Sequence, residues 1–320
     1  MESHPLCRGT HAKRRKRCRL TPSQYSVRED KLPQASKNKT AVLLIDCPDR
    51  KGLVAAISDF VFRHQGNILH ADEHSDEETG LFLMRVEFDA SDMDLSLTEL
   101  RACFAPIAQK FNMRWRLADN SVRPRMGILV SQYPHCLADV LYRHENGELL
   151  CDIPVIISNH RDTERLASFY GIPFVYVPVT RENKVEMERK QIAILRENGC
   201  DLVVLARYMQ ILSPEFVAEF PNRIINIHHS FLPAFIGARP YHQAFQRGVK
   251  LIGATSHYVT EVLDDGPIIE QAVVRISHRD TVNDLIQKGR DLERVVLSRA
   301  VGWHLENRVL LYGGKTVVFD

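Results

Sequence analysis

Long apolar runs are missing from this 320-residue chain. No run approaches the ~20 consecutive apolar residues that a helix needs to cross a bilayer, so we expect no membrane partner. The amino-terminal segment also has no apolar h-region, which argues against a secretory signal. The apolar fraction is nevertheless 44%, an ordinary value for a globular protein. The composition therefore predicts folded domains with full hydrophobic cores.

Paired cysteines are missing as well. The seven cysteines stand singly, their number is odd and no Cys-x-x-Cys motif occurs. A disulfide framework is not expected, and the cytoplasm, as a reducing compartment, suits this cysteine usage best. The chain has no His-Glu-x-x-His or comparable ligand spacing, so we predict no metal site.

Charge is unevenly distributed along the chain. Residues 1–39 hold 11 Lys and Arg against 3 Asp and Glu, whereas the remaining 281 residues hold 31 against 37. We expect the basic segment 1–39 to be a disordered extension. It could be a transit-type extension, a nucleic-acid contact or a segment without a specific role, and we favour the last. The mildly acidic remainder argues against a nucleic-acid partner.

The first folded block is predicted to span residues 40–120. Strand-like runs and two amphipathic helical stretches alternate in the order βαββαβ. Helices on one face of an antiparallel sheet are typical of a compact α+β unit. A linker rich in Ser, Arg and Pro follows at residues 119–125.

The second block, residues 125–320, has a different pattern. Short Val- and Ile-rich runs are separated by helical stretches, which predicts an α/β fold with a doubly wound, mainly parallel, Rossmann-like sheet. Ligands in such sheets bind beyond the carboxyl ends of the strands. Asn226 and His228 fall at the end of one predicted strand, so we expect a pocket there.

The residues in this region suit attack on a carbonyl group. Asn226 can donate a hydrogen bond to a carbonyl oxygen, and a protonated His228 can stabilise an oxyanion. Asp264 can orient the histidine or accept a proton from an attacking water. Ser230 lies nearby but is better explained as a loop cap than as a nucleophile. Polar strand ends, and a plain turn at Asp264–Gly266, are the alternative interpretation of the same residues.

The motifs of this block resemble the formyltransferase family that uses 10-formyltetrahydrofolate. The stretch "INIHHSFLPAFIGARPYHQAFQRGVKLIGATSHYV" and the later "DDGPIIEQ" contain its Asn-x-His, Ser-x-Leu-Pro, Gly-x-Thr-x-His and Asp-x-Gly motifs. The resemblance implies that Asn226, His228 and Asp264 are catalytic, with Asp265 at the variable position. It also implies a folate-binding or supporting group of residues, namely Met209, Gln210, Leu212, His229, Gly253, His257 and Leu263.

Two departures point to one branch of the family. Members that formylate phosphorylated glycinamide have a Gly-rich phosphate loop, but residues 131–137 contain no glycine here. His229 also stands where most transferases have proline. Both features resemble the formyltetrahydrofolate deformylases, in which water is the acceptor. For His257, support of the pocket and simple core packing are both open, and the roles of Tyr241 and His242 are open as well.

The first block resembles an ACT domain, a regulatory module, through its βαββαβ order and the segment "DCPDRKGLVA". Deformylases are fusions of ACT and formyltransferase domains. The likeness implies a homo-oligomer and an amino-acid effector, glycine or methionine, near Asp49, Arg50, Lys51 and Gly52. A plain turn explains that segment equally well.

The implied function is hydrolysis of 10-formyltetrahydrofolate to tetrahydrofolate and formate, which balances one-carbon pools and supplies formate for purine synthesis. No cofactor is implied, because the folate is the substrate. Formyl transfer to an amine and a non-catalytic folate or amino-acid sensor are the alternatives.

Overall fold

The computed structural model describes residues 39–234 and 240–320. Apart from Lys39, the basic extension predicted for residues 1–39 lies outside the described residues. Within the described ranges, no helix is both long and apolar enough to cross a membrane.

The amino-terminal unit has the predicted βαββαβ order. Its sheet has the strand order β2-β3-β1-β4, and every neighbouring pair is antiparallel. The side chains of Ser96 and Glu99 cap the start of α2 reciprocally, which satisfies backbone N–H groups that the helix itself leaves free. The elements are β1 (Thr40–Pro48), α1 (Leu53–Arg63), β2 (Asn67–Asp76), β3 (Leu81–Asp89), α2 (Leu97–Phe111) and β4 (Arg114–Asp119).

The carboxy-terminal unit alternates strands and helices around one large sheet and ends in a small hairpin. Its elements are β5 (Arg125–Val130), α3 (His135–Glu145), β6 (Asp152–Ser158), α4 (Glu164–Phe169), β7 (Phe174–Tyr176), α5 (Lys184–Glu197), β8 (Leu202–Ala206), α6 (Pro214–Glu219), β9 (Ile224–His228), α7 (Pro240–Arg247), β10 (Leu251–Tyr258), β11 (Ile268–Arg275), α8 (Val282–Leu305), β12 (Val309–Tyr312) and β13 (Lys315–Val318).

The large sheet has the strand order β11-β10-β9-β8-β5-β6-β7. Five neighbouring strands of the sheet are parallel, namely β7, β6, β5, β8 and β9. Strand β10 runs antiparallel to both β9 and β11. The prediction of a mainly parallel sheet is therefore confirmed. The antiparallel pairing has a direct consequence for the site, because it sets His257 opposite Asn226 and Thr255 opposite His228.

Helices cover both faces of this sheet. Leu202 and Val204 of β8 belong to a core that includes side chains of α3 and α8. Val203 and Leu205 belong to a second core with α5 and α6. Alternate residues of one strand thus enter different cores, as the two-residue repeat of a strand requires, and this double cover explains why the strand is apolar throughout.

The two units share a small core. Val42 and Leu44, on the face of β1 that α1 and α2 do not cover, pack with Leu310 of the carboxy-terminal hairpin. The guanidinium group of Arg85 donates a hydrogen bond to the carbonyl oxygen of Asn307 at 3.1 Å. The hairpin β12–β13 therefore covers the second face of the amino-terminal sheet.

Candidate active site

A cavity of about 620 Å³ opens beside the carboxyl end of β9. Asn226, His228, His257 and Asp264 all line it. They come from three parts of the chain, because β9 contributes the first two, β10 the third, and the connection from β10 to β11 the last. The structure therefore brings together the residues that the motifs single out.

Asn226 and His257 form a neutral hydrogen-bonded pair. Nδ1 of His257 lies 2.9 Å from the carbonyl oxygen of Tyr258, so it donates a proton there. Nε2 must then accept from Nδ2 of Asn226 at 3.2 Å. Burial lowers the pKa of His257 below its ordinary value, which keeps this arrangement neutral. His257 thereby orients the Asn226 amide and leaves the second N–H of that amide for a ligand.

His228 and Asp264 form a buried pair in the lining of the cavity. Nδ1 of His228 lies 3.3 Å from Oδ1 of Asp264, and each side chain is only 7% exposed. Burial alone would raise the pKa of Asp264, but the hydrogen bond and the charge of His228 outweigh it, so the pKa lies below its ordinary value. Nε2 of His228 is buried and has no hydrogen-bond partner among the described residues. That nitrogen is a group for a ligand to engage.

The backbone holds Asp264 in an uncommon conformation. Its φ is 56°, in the left-handed region that Asp and Asn tolerate better than most residues. The turn closes with a hydrogen bond from the Tyr258 amide to the Pro267 carbonyl oxygen at 2.9 Å. A side chain at position 266 would meet the Tyr258 carbonyl oxygen, since its Cβ would lie 1.7 Å away. Gly266 thus permits the turn that aims Asp264 into the cavity.

His229 borders the same centre as an uncharged group. Burial, with a smaller contribution from the nearby Arg207 charge, lowers the pKa of His229 to about 4. Its ring centroid lies 5.1 Å from that of His228 and 6.1 Å from that of Tyr241. The residue therefore adds a neutral ring, rather than a second cation, to the cavity wall.

One side of the cavity is apolar. Met209, Leu212 and Leu263 line it together with Gln210, and Met209 and Leu263 are 50% and 52% exposed. Exposed apolar side chains at the mouth of a cavity suit a flat aromatic ligand. Gly253 does not line the cavity and instead allows close approach of its neighbours in the sheet, because a Cβ there would lie 2.6 Å from the carbonyl oxygen of Ala272.

The opposite side of the cavity is polar and centres on Glu293 of α8. Oε2 of this carboxylate lies 2.7 Å from Nε2 of His135, and Oε1 accepts a hydrogen bond from the Tyr241 hydroxyl at 2.6 Å. Nε of Arg207 lies 3.3 Å from Oε2. Burial would raise the pKa of Glu293, but these partners bring it below the ordinary value. A buried carboxylate is thus held charged by groups from three other parts of the chain.

One described group of side chains has metal-ligand spacing. His135, Cys136 and Glu293 bring one ligand atom each within 4.8 Å of one another. Burial raises the pKa of the Cys136 thiol well above its ordinary value, so the thiolate that a metal needs is disfavoured. The Arg207 guanidinium beside Glu293 also opposes a cation. The cluster therefore fits a hydrogen-bonded network better than a metal site.

Relatives of known function share both units. A family model described as formyl transferase matches residues 124–301, and one described as ACT domain matches residues 41–105. A formyltetrahydrofolate deformylase of Synechocystis sp. is 54% identical over 88% of this chain and 99% of its own length. One from Bacillus subtilis is 50% identical over 87% of this chain and 93% of its own length. The chain belongs to the formyltetrahydrofolate deformylase family.

Solved structures agree with this assignment. The crystal structure of a formyltetrahydrofolate deformylase from Pseudomonas syringae is 49% identical, covers 89% of this chain and 96% of its own, and superimposes with a TM-score of 0.87. A glycinamide ribonucleotide transformylase from Symbiobacterium toebii covers 62% of this chain at 32% identity, with a TM-score of 0.58. The family resemblance seen in the motifs is confirmed, and similarity to the deformylase extends over more of the chain.

Ser131, at the start of the glycine-free segment 131–137, has a structural role. The Ser131 hydroxyl donates to Oδ1 of Asn159 at 2.7 Å and accepts from the Met209 amide at 3.0 Å. Both contacts hold the loop that carries the apolar wall. Neither Ser131 nor Asn159 is among the residues predicted from the sequence, because a single polar residue at a strand end gives no motif.

The amino-terminal candidates lie apart from this cavity. Nη2 of Arg50 donates to the carbonyl oxygen of Lys110 at 2.7 Å, and its guanidinium carbon lies 4.8 Å from the centroid of the Phe111 ring. Asp49 and Lys51 are exposed, and Gly52 precedes α1 with a φ of 92°. Arg50 therefore has a structural explanation, which leaves the exposed residues and the helix start as the effector candidates.

Glu293, at the centre of the polar wall, was missed by sequence reasoning, although a signal existed. Positions 285, 289, 293 and 297 of α8 are all buried. Glu293 therefore falls on the apolar face of an amphipathic helix. A carboxylate in that register needs partners in the folded protein, which marks it as part of a polar site.

Proposed function

We propose that this protein hydrolyses 10-formyltetrahydrofolate to tetrahydrofolate and formate. The observation that carries the proposal is the buried pair of His228 and Asp264, which lines one cavity with Asn226 and leaves Nε2 of His228 without a partner among the described residues. A cation and an amide donor on one side, with a carboxylate nearby, suit water addition to a formamide. Membership of the deformylase family supports the same reaction.

The reaction begins with the formyl oxygen facing two donors, the amide of Asn226 and Nε2 of a protonated His228. Asp264 accepts a proton as water attacks the formyl carbon, and negative charge develops on the formyl oxygen. The two donors stabilise that oxyanion in the transition state more than they stabilise the neutral carbonyl. Collapse of the intermediate breaks the bond to the folate nitrogen, which takes up the proton, and releases formate.

Water is favoured over an amine as the acceptor. In the polar part of the cavity lining, Tyr241 and His135 are hydrogen-bonded to Glu293, so these side chains are not free to bind an amine substrate. The ring of Tyr241 also lies directly over Gly289, where even a Cβ would lie 2.1 Å from its hydroxyl oxygen. A sensor without activity is the less favoured alternative, because all three candidate catalytic side chains line one cavity.

The test is formate release from 10-formyltetrahydrofolate by purified protein with no amine added. We expect stoichiometric formate and tetrahydrofolate at a rate that added glycinamide ribonucleotide does not increase. Formation of a formylated amine, with formate absent until that amine is supplied, would favour the transferase alternative. Binding of the folate without turnover would favour the sensor.

We further propose that hydrolysis requires no metal or cofactor. The proposed steps use only protein side chains and water, and the group with metal-ligand spacing found among residues 39–234 and 240–320 lies in the hydrogen-bonded network of Glu293. Dialysis against a strong chelator is expected to leave turnover unchanged. Loss of activity that a divalent metal restores would contradict the proposal.

The amino-terminal unit, we propose, binds an amino acid, glycine or methionine, and joins copies of the chain. The start of α1 presents backbone N–H groups after Gly52, and such a position favours a carboxylate. Strand β2 is an exposed edge of its sheet and could pair with another copy. Turnover and solution mass, measured with and without each amino acid, test both points. A protein that stays monomeric, and whose turnover neither glycine nor methionine changes, would overturn both proposals.

The proposed cellular role is to balance one-carbon pools in the cytoplasm and to supply formate for purine synthesis. The five cysteines within the described ranges, including Cys103 and Cys200, are free thiols, which suits a reducing compartment. Loss of the gene is expected to cause a purine requirement that formate relieves. Normal growth without purines in such a strain would contradict the supply role.

A further inference from the structure

Arg207 stands out in the polar half of the cavity, which the proposed reaction does not use. It directly follows β8, and β8 lies next to β9, which carries Asn226 and His228. Its φ is 63°, a conformation that costs a non-glycine residue free energy and that clusters at functional sites. The side chain is only 10% exposed. The fold thus holds a cation in the wall of the cavity at an energetic cost.

Two of the three nitrogens of this guanidinium group make no hydrogen bond to the described residues. Nε and Nη1 of Arg207 are buried and have no hydrogen-bond partner among the described residues. Glu293 lies close, with Oε2 at 3.3 Å from Nε, but its oxygens already serve His135 and Tyr241 at shorter distances. The carboxylate balances the charge of Arg207 without satisfying its donors. Buried donors without protein partners are groups that a ligand can engage.

The cation lies next to the reaction centre. Its charge helps to keep the neighbouring His229 neutral, and the His229 ring lies 5.1 Å from that of His228. The half-exposed ring of Tyr133 screens the other side, with its centroid 5.6 Å from the Arg207 guanidinium carbon. The exposed Arg290 lies at the same distance from that ring. The buried Arg207 and the exposed Arg290 thus both lie over the Tyr133 ring.

We propose that Arg207 binds the formate ion that the reaction releases. The inference rests on the proposed function. Formate is a small planar carboxylate, and a guanidinium group offers it two parallel N–H donors. The substrate's own glutamate carboxylates have the same chemistry, but the aminobenzoyl ring separates them from the formyl group. The position of Arg207 beside His229 therefore favours formate.

Formate binding to the folate-free protein tests this site without reference to turnover. Carbon-13 formate is titrated at constant ionic strength, and its NMR line width is followed for the wild type, Arg207→Lys and Arg207→Gln. We expect saturable binding by the wild type that Arg207→Gln weakens about tenfold or more, the effect of losing a charged hydrogen bond. Arg207→Lys keeps the charge but loses the paired donors, so its binding is expected to be intermediate.

A matched control is available in Arg223→Gln. Arg223 is exposed and lies over Phe220 with its guanidinium carbon 5.8 Å from the ring centroid, outside the cavity lining. This change is expected to leave formate binding as in the wild type. Weakening equal to that of Arg207→Gln would show a general charge effect and would overturn the site. Should Arg207→Gln fail to fold, unchanged binding by Arg207→Lys would overturn it.

Hydrolysis is measured in parallel, so that failure of the proposed function can be distinguished from failure of the formate site. Wild-type protein that binds formate but does not hydrolyse the folate would refute the proposed function. Wild-type hydrolysis, together with formate binding that Arg207→Gln leaves unchanged, would refute the formate site alone. A raised KM for the folate in Arg207→Gln, with formate binding unchanged, would assign Arg207 to the substrate's glutamate instead and would equally overturn the inference.

Discussion

Asp264 and Asp265 are adjacent carboxylates in different environments. Asp264 is 7% exposed and paired with His228, whereas Asp265 is exposed. Asp264→Asn removes the base and the charge while keeping a residue that tolerates the left-handed φ of 56°. We expect kcat to fall about a hundredfold or more, with folate affinity nearly kept.

Asp265→Asn is the control for this change, and its kcat is expected to match the wild type. Steady-state kinetics and folate binding by fluorescence measure both variants. Equal damage at the two positions would show that the wrong carboxylate has been assigned.

His228 is predicted to act on the transition state rather than on the bound substrate. The oxyanion that its Nε2 would stabilise exists only after attack has begun. His228→Ala should therefore lower kcat about a hundredfold and change KM much less. A dominant rise in KM, with kcat preserved, would make His228 a binding residue and would refute the proposed mechanism.

The sequence predicted the three candidate catalytic residues but only some of the residues around them. Asn226, His228 and Asp264 stand within recognisable motifs, and the cavity brings all three together. Arg207 and Glu293 stand singly, in a loop and in a long helix. Their proximity depends on how α8 packs against the sheet, and that packing has no local signal in the sequence.

The connection between β10 and β11 determines where Asp264 lies, and Gly266 makes that connection possible. Gly266→Ala would set a Cβ 1.7 Å from the Tyr258 carbonyl oxygen, so the backbone has to move. We expect lower kcat and a lower melting temperature in the same variant. Gly302→Ala in α8 is the control, because its Cβ would meet only Leu149 at 3.6 Å, and alanine favours a helix. Wild-type kcat in Gly266→Ala would show that the turn does not position Asp264.

Most elements followed from local patterns in the sequence. The βαββαβ order of the amino-terminal unit is the main example, because its strand and helix repeats are separated by clear turns and caps. Strand β12 was not predicted, because it is defined by its pairing with β13 and by its packing on the amino-terminal sheet. Neither contact is visible in the local sequence. The reversed direction of β10 also lay beyond local reasoning, since it is set by long-range pairing.

At the scale of the whole molecule, His304 links stability to pH. The residue lies in the last turn of α8, and its Nδ1 lies 2.7 Å from the Tyr258 hydroxyl oxygen. Burial lowers the pKa of His304 to about 4, from an ordinary value of 6.5. The unfolded chain thus binds this proton first as pH falls, so stability decreases between pH 6.5 and 4. The loss from this residue should reach about 2 kcal/mol at pH 5.

Urea denaturation at pH 7 and pH 5 measures this effect. His304→Gln should reduce the pH dependence, whereas His278→Gln, at an exposed position, should not. Part of the dependence is expected to persist in His304→Gln, because burial also lowers the pKa of His229 to about 4. An identical pH dependence in His304→Gln and the wild type would contradict the assignment.

The most direct test of the whole account is the origin of the oxygen in formate. Purified protein is incubated with 10-formyltetrahydrofolate in water enriched in oxygen-18, with no amine present, and formate is analysed by mass spectrometry. Each formate released by the wild type is expected to contain one labelled oxygen. Asp264→Asn is expected to release almost no formate. Absence of formate from the wild type until an amine is added, or release of unlabelled formate, would contradict hydrolysis by water at this centre.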